Sequence, residues 1–197
     1  TRSDLFYYYS DHMQAQAANV LPVSTQLGDV VTADLNGDAK PDVLSISGNQ
    51  VVALLSNGDG TLQDIKLTAA GASPLNLLVA DFNGDGKRDV AVTQYYGATV
   101  TVLLGNGDGT FKAGSDIAVA SLSNILTLGD LNGDGKADLL ASPASSFSFT
   151  GSTALLSKGD GTFTSVPLSA LNDYSGQTAI ADVNGDYETS YITLCRR

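Results

Sequence analysis

The strongest constraint on the fold is a nine-residue phrase that occurs three times, and a fourth time in altered form. The copies are Asp34-Leu-Asn-Gly-Asp-Ala-Lys-Pro-Asp42, Asp81-Phe-Asn-Gly-Asp-Gly-Lys-Arg-Asp89, Asp130-Leu-Asn-Gly-Asp-Gly-Lys-Ala-Asp138 and the altered Asp182-Val-Asn-Gly-Asp-Tyr-Glu-Thr-Ser190. They start 47, 49 and 52 residues apart. A second phrase, Gly-Asp-Gly-Thr, lies between them and begins at Gly58, Gly107 and Gly159. Recurrence in phase indicates a tandem array of one structural unit.

Each repeat divides into four short runs that are typical of β-strands. In the second unit the runs are Leu77–Ala80, Asp89–Gln94, Thr99–Leu104 and Phe111–Val119, separated by clusters of Gly, Asp and Asn. Runs of this length between turn residues favour strands over helices. Four strands in a period of about 50 residues are typical of a β-propeller blade. We therefore expect an all-β chain built from four-stranded antiparallel blades.

The repeat boundaries predict about four blades in a single propeller or propeller segment. Three whole blades correspond approximately to residues 28–75, 76–124 and 125–176, and a fourth combines 177–197 with 1–27. Pairing the two ends within one blade would close the ring and remove exposed sheet edges. In the alternative, the chain is part of a longer array or of a homo-oligomer, and another chain completes the ring.

The amino-acid composition argues against several classes of partner and activity. The formal net charge is −11, which argues against nucleic acid as a partner. No run approaches the roughly 18 apolar residues of a membrane span, so we expect no membrane insertion. The single His12 and single Cys195 leave too few groups for a Ser-His-Asp triad or a cysteine-rich zinc site. These shortages favour a protein that is not an enzyme.

The nine-residue phrase has the chemistry of a calcium loop. Oxygen-bearing side chains occupy positions one, three, five and nine, and the carbonyl of position seven can add a further ligand. Calcium takes about six to eight oxygen ligands and tolerates irregular geometry. An EF-hand would need glutamate at position twelve, where this chain has Ser45, Val92 and Ala141. The alternative is that the loops are only Asx turns that end hairpins.

These loops resemble those of the FG-GAP/VCBS repeat family, which forms the propeller of integrin α-subunits. The resemblance covers about residues 28–190 and implies calcium ions held between the first and second strands of each blade, about three per chain. The implied ligands are Asp34, Asn36, Asp38, Lys40 (carbonyl) and Asp42; Asp81, Asn83, Asp85, Lys87 (carbonyl) and Asp89; and Asp130, Asn132, Asp134, Lys136 (carbonyl) and Asp138.

Two copies depart from the family pattern. Ala39 stands where glycine is preferred, which strains the first loop if its φ is positive. The fourth loop has Tyr187 at the same position and Ser190 in place of the last aspartate. We therefore expect weak or absent binding at a fourth site formed by Asp182, Asn184, Asp186 and Glu188.

Ligands are expected at the end of the blades that carries the variable loops. These loops are Ser47–Gln50, Gln94–Gly97 and Pro143–Ser152. Rigid scaffolds with variable loops are usual in binding proteins. The candidate contacts for a sugar or a peptide are the aromatic side chains of Tyr95, Tyr96, Phe147 and Phe149. The alternative for these side chains is that they fill gaps between blades.

The function predicted from the sequence is that of a calcium-binding, non-enzymatic binding or adhesion module. Similarity to integrin propellers and to fungal lectins of this repeat family implies an extracellular or cell-surface location and a glycan or protein ligand. One alternative is a structural segment of a larger adhesin, or of a propeller that self-assembles. A further alternative is an accessory domain of a secreted enzyme, because the family also occurs in lyases and phospholipases.

Overall fold

The computed structural model describes residues 27–63, 65–120, 123–143, 151–168, 176–181 and 190–195. These residues form fourteen strands: β1 (Leu27–Ala33), β2 (Asp42–Ser47), β3 (Gln50–Leu54), β4 (Lys66–Ala69), β5 (Pro74–Ala80), β6 (Asp89–Gln94), β7 (Thr99–Gly105), β8 (Phe111–Ala118), β9 (Ser123–Gly129), β10 (Asp138–Pro143), β11 (Ser152–Ser157), β12 (Phe163–Leu168), β13 (Gly176–Ala181) and β14 (Ser190–Cys195). No helix occurs within these ranges.

The strands form three four-stranded antiparallel sheets that repeat one topology. The strand orders are β1-β2-β3-β4, β5-β6-β7-β8 and β9-β10-β11-β12, and β13 pairs with β14 in a further sheet. The all-β prediction and the four-stranded unit are confirmed. In the second unit, β6 has the predicted bounds, while β5 begins three residues before the predicted Leu77. The number of blades, their boundaries and the closure of a ring stay predictions.

The three large sheets pack face to face, and the middle sheet is apolar on both faces. Val90 and Val92 of β6 belong to a buried cluster shared with Leu44 and Val51 of the first sheet. Ala91 between them belongs to a second cluster, shared with Leu139 of the third sheet. Since alternate residues of a strand point to opposite faces, β6 contributes to both interfaces, and all six of its residues are buried.

The first strands of successive sheets lie side by side. β1 neighbours β5, β5 neighbours β9, and β9 neighbours β13. In each sheet the loop from the first to the second strand and the turn from the third to the fourth lie at the same end. We call this end the loop face, and it carries residues 34–41, 81–88 and 130–137. The turn from the second to the third strand lies at the other end.

Candidate metal centre

The aspartate at position one folds each loop around its own carboxylate. Asp81 Oδ1 accepts a hydrogen bond from Gly84 N at 2.7 Å, and Asp81 Oδ2 accepts one from Gly86 N at 2.8 Å. Asp130 makes the same two bonds, at 2.7 Å and 2.8 Å. Asp34 bonds Gly37 N at 2.7 Å and Ala39 N at 2.9 Å. The three loops therefore share one backbone conformation, as their common sequence predicts.

Positions three and five continue the same pattern along the loop. In the second copy, Asn83 Oδ1 accepts a bond from Asp85 N at 3.0 Å, and Asp85 Oδ1 accepts one from Lys87 N at 2.9 Å. The bond from the Lys87 backbone is the main reason that the pKa of Asp85 is below its usual range. Bonds of this kind from a side-chain oxygen to the amide two residues later are Asx turns.

The aspartate at position nine is a buried brace, a role that sequence reasoning missed. Asp89 is fully buried, and its two carboxylate oxygens accept bonds from Phe82 N and Gly105 N, both at 2.8 Å. Phe82 lies in the loop and Gly105 ends β7, so Asp89 joins the loop to the third strand. Burial raises the pKa of Asp89, against the lowering effect of the two N–H groups. The sequence signal for its burial was the apolar run that directly follows it, Val90-Ala-Val92, whereas nothing in the sequence pointed to its two backbone partners.

The brace recurs in the other two copies. Asp42 bonds Leu35 N and Ser56 N, both at 2.8 Å. Asp138 bonds Leu131 N at 2.9 Å and Ser157 N at 2.7 Å, and burial likewise raises its pKa. A buried carboxylate with two backbone donors is a stable structural element even without a metal ion.

The first loop carries the strain expected from its sequence. Ala39 has a φ of 62°, whereas Gly86 and Gly135 at the same position have φ values of 80° and 78°. A side chain in this left-handed region is costly, and glycine is the residue that adopts it freely. The expectation of strain at Ala39 is therefore confirmed.

The donor set of the loops suits a hard cation, although the side chains are engaged in hydrogen bonds. Each loop offers carboxylate, amide and carbonyl oxygens, which are the ligands that Ca²⁺ prefers. A carboxylate oxygen that accepts one hydrogen bond keeps acceptor capacity for a second partner. Among the residues that the structure describes, no three His, Cys, Asp or Glu side chains are arranged to hold a metal ion. The chemistry fits calcium, and the observed bonds are those of the Asx-turn alternative.

The turns of the loop face are fixed by their own Asp and Thr side chains. Asp59 Oδ1 accepts bonds from Thr61 N at 2.9 Å and from the Thr61 hydroxyl at 2.6 Å. Asp108 and Asp160 have equivalent bonds to Thr110 and Thr162. The threonine hydroxyl is the main cause that lowers the pKa of each of these three aspartates.

The first and second loops also contact the neighbouring sheet through their second residue, Leu35 and Phe82. Phe82 packs edge-to-face on Phe163, with ring centroids 5.6 Å apart. The Phe82 carbonyl accepts a bond from Gly161 N at 3.2 Å, in the turn before β12. In the preceding interface, Leu35 and Phe111 share one buried cluster. The sequence signal was an apolar residue at position two of every copy, Val183 included.

The aromatic candidates at the opposite end fall into two groups. Tyr95 and Tyr96 lie in the turn between β6 and β7, and their rings meet edge-to-face with centroids 4.5 Å apart. Tyr96 is 81% exposed and Tyr95 about half exposed, so neither ring fills a gap between sheets. Phe147 and Phe149 lie outside the described residues, as do Asp182, Asn184, Asp186 and Glu188 of the fourth loop.

The tyrosine turn is held by Gln94, which sequence reasoning did not single out. Its side chain is buried, its Oε1 accepts a bond from Ser73 N at 3.0 Å, and its Nε2 donates to the Ala70 carbonyl at 2.7 Å. Tyr95 N also donates to the Ser73 carbonyl at 2.7 Å. The turn is therefore fastened to the connection between the first two sheets.

The family of the chain follows from a comparison with models of known protein families. The FG-GAP-like repeat matches twice, over residues 34–92 and 81–141. The chain belongs to the FG-GAP-like repeat family. The matches begin at Asp34 and Asp81, the first residues of two of the loops described above. No curated protein matches the chain significantly.

Solved structures support the fold. One similar structure is that of an Agrocybe aegerita lectin that specifically recognises non-reducing terminal N-acetylglucosamine. The lectin is 25% identical to this chain and superposes with a TM-score of 0.57, and the match covers 81% of this chain and 44% of the lectin. A Bacillus licheniformis rhamnogalacturonan lyase is 17% identical with a TM-score of 0.56, covering 85% of this chain and 39% of the lyase. The FG-GAP chain thus spans less than half of either protein. No helix in the described part of the chain is long and apolar enough to cross a membrane.

Proposed function

We propose that this FG-GAP chain is a calcium-binding β-propeller module that acts outside the cell as a non-enzymatic binding domain. The observation that carries the proposal is the threefold repetition of one aspartate-rich loop, with one hydrogen-bond scheme, at the same end of three stacked sheets. The family match supports the module type. The extracellular or cell-surface location rests on the family resemblance.

The propeller arrangement is supported by the way the sheets stack. Sheets that pack face to face with their first strands side by side are arranged as propeller blades are around an axis. We propose four blades, approximately 28–75, 76–124, 125–176, and 177–197 with 1–27. The pairing of β13 with β14 is compatible with the first half of the fourth blade.

The proposed calcium ions, about three per chain, would occupy the loop face. Each loop would bind its ion through the side chains of positions one, three, five and nine and through the carbonyl of the lysine at position seven. The proposed ligands are Asp34, Asn36, Asp38, Lys40 and Asp42 in the first loop; Asp81, Asn83, Asp85, Lys87 and Asp89 in the second; and Asp130, Asn132, Asp134, Lys136 and Asp138 in the third. Calcium, when bound, supplies positive charge that offsets the repulsion among three carboxylates in one loop. The fourth loop is proposed to bind weakly or not at all.

The proposed ligand is a glycan, with an extracellular protein as the alternative. Tyr95 and Tyr96 present aromatic surface on a turn that Gln94 and Ser73 hold in place, so little ordering is needed on binding. The similarity to a lectin at 25% identity favours a sugar. Phe147 and Phe149 remain further candidates for the same surface.

A glycan array with three proteins tests this proposal. The wild type is expected to bind a defined set of glycans, and Tyr96→Ala is expected to weaken that binding about two- to tenfold, since an aromatic contact contributes on the order of 0.5–1.5 kcal/mol. Leu67→Ala, which removes another exposed apolar side chain, is the matched control and should bind as the wild type does. Wild-type protein that binds no glycan would refute the glycan assignment.

The second candidate is a structural segment of a larger assembly, formed with other domains or with further copies of the chain. The partial coverage of the similar structures favours it, since the match covers only 44% of the lectin and 39% of the lyase. Light scattering distinguishes the two candidates. A monomer that binds glycan supports the binding module, and a defined oligomer without glycan binding supports the assembly. An accessory domain of a secreted enzyme stays the least supported alternative.

A further inference from the structure

One lysine in each loop, at position seven, lies across the neighbouring turn. A Cβ atom added to Gly58 would stand 2.6 Å from Lys40 Cδ, so the lysine stem occupies the space that the missing side chain leaves. The corresponding distances are 3.2 Å from Gly107 to Lys87 Cδ and 3.1 Å from Gly159 to Lys136 Cδ. The contact therefore recurs in all three units. Long charged side chains often pack their apolar stem in this way while the charge stays in water.

The same packing brings each lysine ammonium to the aspartate at position five. Lys136 Nζ donates a hydrogen bond to Asp134 Oδ2 at 2.7 Å. Lys40 Nζ lies 3.2 Å from Asp38 Oδ2, and Lys87 Nζ lies 4.0 Å from Asp85 Oδ2. Each loop therefore carries a cation of its own, anchored by the adjacent turn, against one of the proposed calcium ligands.

We propose that Lys40, Lys87 and Lys136 are built-in counter-cations that compete with calcium for the loop carboxylates. The inference rests on the calcium binding proposed above and adds a regulation of the same site. Without a divalent ion, the ammonium group offsets part of the repulsion among the loop acids. When calcium binds, it must displace the ammonium from the aspartate or tolerate its positive charge nearby. The lysine side chain therefore stabilises the metal-free loop and weakens calcium binding, while its backbone carbonyl remains a ligand.

The size of the effect follows from Coulomb's law. A single positive charge about 6 Å from a divalent ion in water changes the affinity by roughly tenfold. Salt screens exposed charges, and the Debye length falls from about 10 Å at 0.1 M to about 3 Å at 1 M ionic strength. The effect of the lysines is therefore expected to be large at low salt and small at high salt.

The test compares two triple variants that lose the same charge. In the first, Lys40, Lys87 and Lys136 are replaced by methionine, which keeps an unbranched apolar stem over the glycine. In the control, Lys66, Lys112 and Lys158 are replaced by methionine; because Lys112 also acts on Asp85 through its charge, this control gives a lower limit for the expected difference. Isothermal titration with calcium at low salt should show a three- to tenfold tighter affinity per site for the first variant than for the control. Equal affinities of the two variants would overturn the competition.

Melting curves in EDTA provide a second readout that needs no calcium. The first variant should unfold at a lower temperature than the control, because it has lost the counter-cations of the metal-free loops. Replacement of the same three lysines by arginine, which keeps the charge, should restore both properties toward the wild type. Wild-type protein that binds no calcium would refute both the proposed calcium function and the competition, whereas equal affinities in proteins that do bind calcium would refute the competition alone.

Discussion

At the scale of single residues, Ala39 is where the sequence departs most visibly from what its loop requires. The same position is glycine in the second and third copies, and all three have positive φ. A Cβ atom at Gly86 or Gly135 would meet nothing within 4 Å, so the cost at this position comes from the backbone rather than from crowding. The first loop is therefore expected to be the least stable of the three.

Ala39→Gly is predicted to stabilise the protein by about 0.5–1 kcal/mol, because it relieves a left-handed alanine and this gain exceeds the extra entropy of glycine in the unfolded chain. Chemical denaturation measures the change. Gly86→Ala is the matched control and should destabilise the second loop by a similar amount. A stabilising Gly86→Ala would contradict this explanation.

The carboxylates of the turns predict a dependence of stability on pH. Hydrogen bonds from Thr110 lower the pKa of Asp108, so this group stabilises the folded protein above the ordinary aspartate pKa of about 3.8. The contribution is lost as the pH falls through the lowered value. Asp108→Asn keeps an acceptor oxygen but cannot titrate. The difference in melting temperature between wild type and Asp108→Asn should therefore shrink from pH 6 to pH 2. A constant difference would show that the ionised form has no special role.

At the scale of elements, the aspartates at positions five and nine have different roles although the repeat presents them as equivalent ligands. Asp85 is exposed and accepts bonds within its own loop, whereas Asp89 is buried and joins the loop to the end of β7. The spacing of oxygen side chains could be read from the sequence. The brace could not, because it depends on where β7 ends relative to the loop.

Asp89→Asn is predicted to destabilise the protein by about 2–3 kcal/mol in EDTA, because an amide offers one acceptor oxygen where two buried N–H groups need partners. Asp85→Asn should cost much less under the same conditions and should mainly weaken calcium binding at the second site. Denaturation in EDTA and calcium titration together separate the two roles. Equal losses of stability in EDTA would contradict the distinction.

The packing between sheets shows a similar limit of sequence reasoning. Hydrophobic runs and turn residues predicted the strands of the second unit to within a few residues, because strand period and turn chemistry are local properties. The contact of Phe82 with Phe163 joins positions that lie far apart in the chain. Only the relative placement of two sheets brings these rings together, so no local pattern specifies the pair.

At the scale of the whole molecule, the repeat predicted one four-stranded sheet per unit, and the structure confirms this for three units of the described part of the chain. The number of blades in a propeller depends on the angle between neighbouring sheets. The volumes of the side chains at each interface determine this angle, and the spacing of the repeats in the sequence does not. The match covers 44% of the lectin and 39% of the lyase.

The number of calcium ions bound per folded chain is the decisive measurement for the calcium sites proposed in the three loops. Protein stripped of metal with EDTA and dialysed into metal-free buffer should bind about three calcium ions per chain in titration calorimetry. EDTA should lower the melting temperature of the calcium-loaded protein, because a ligand that binds only the folded state stabilises it. Asp85→Ala should reduce the count to about two. A chain that binds no calcium and melts at the same temperature with and without EDTA would contradict calcium binding by the three loops.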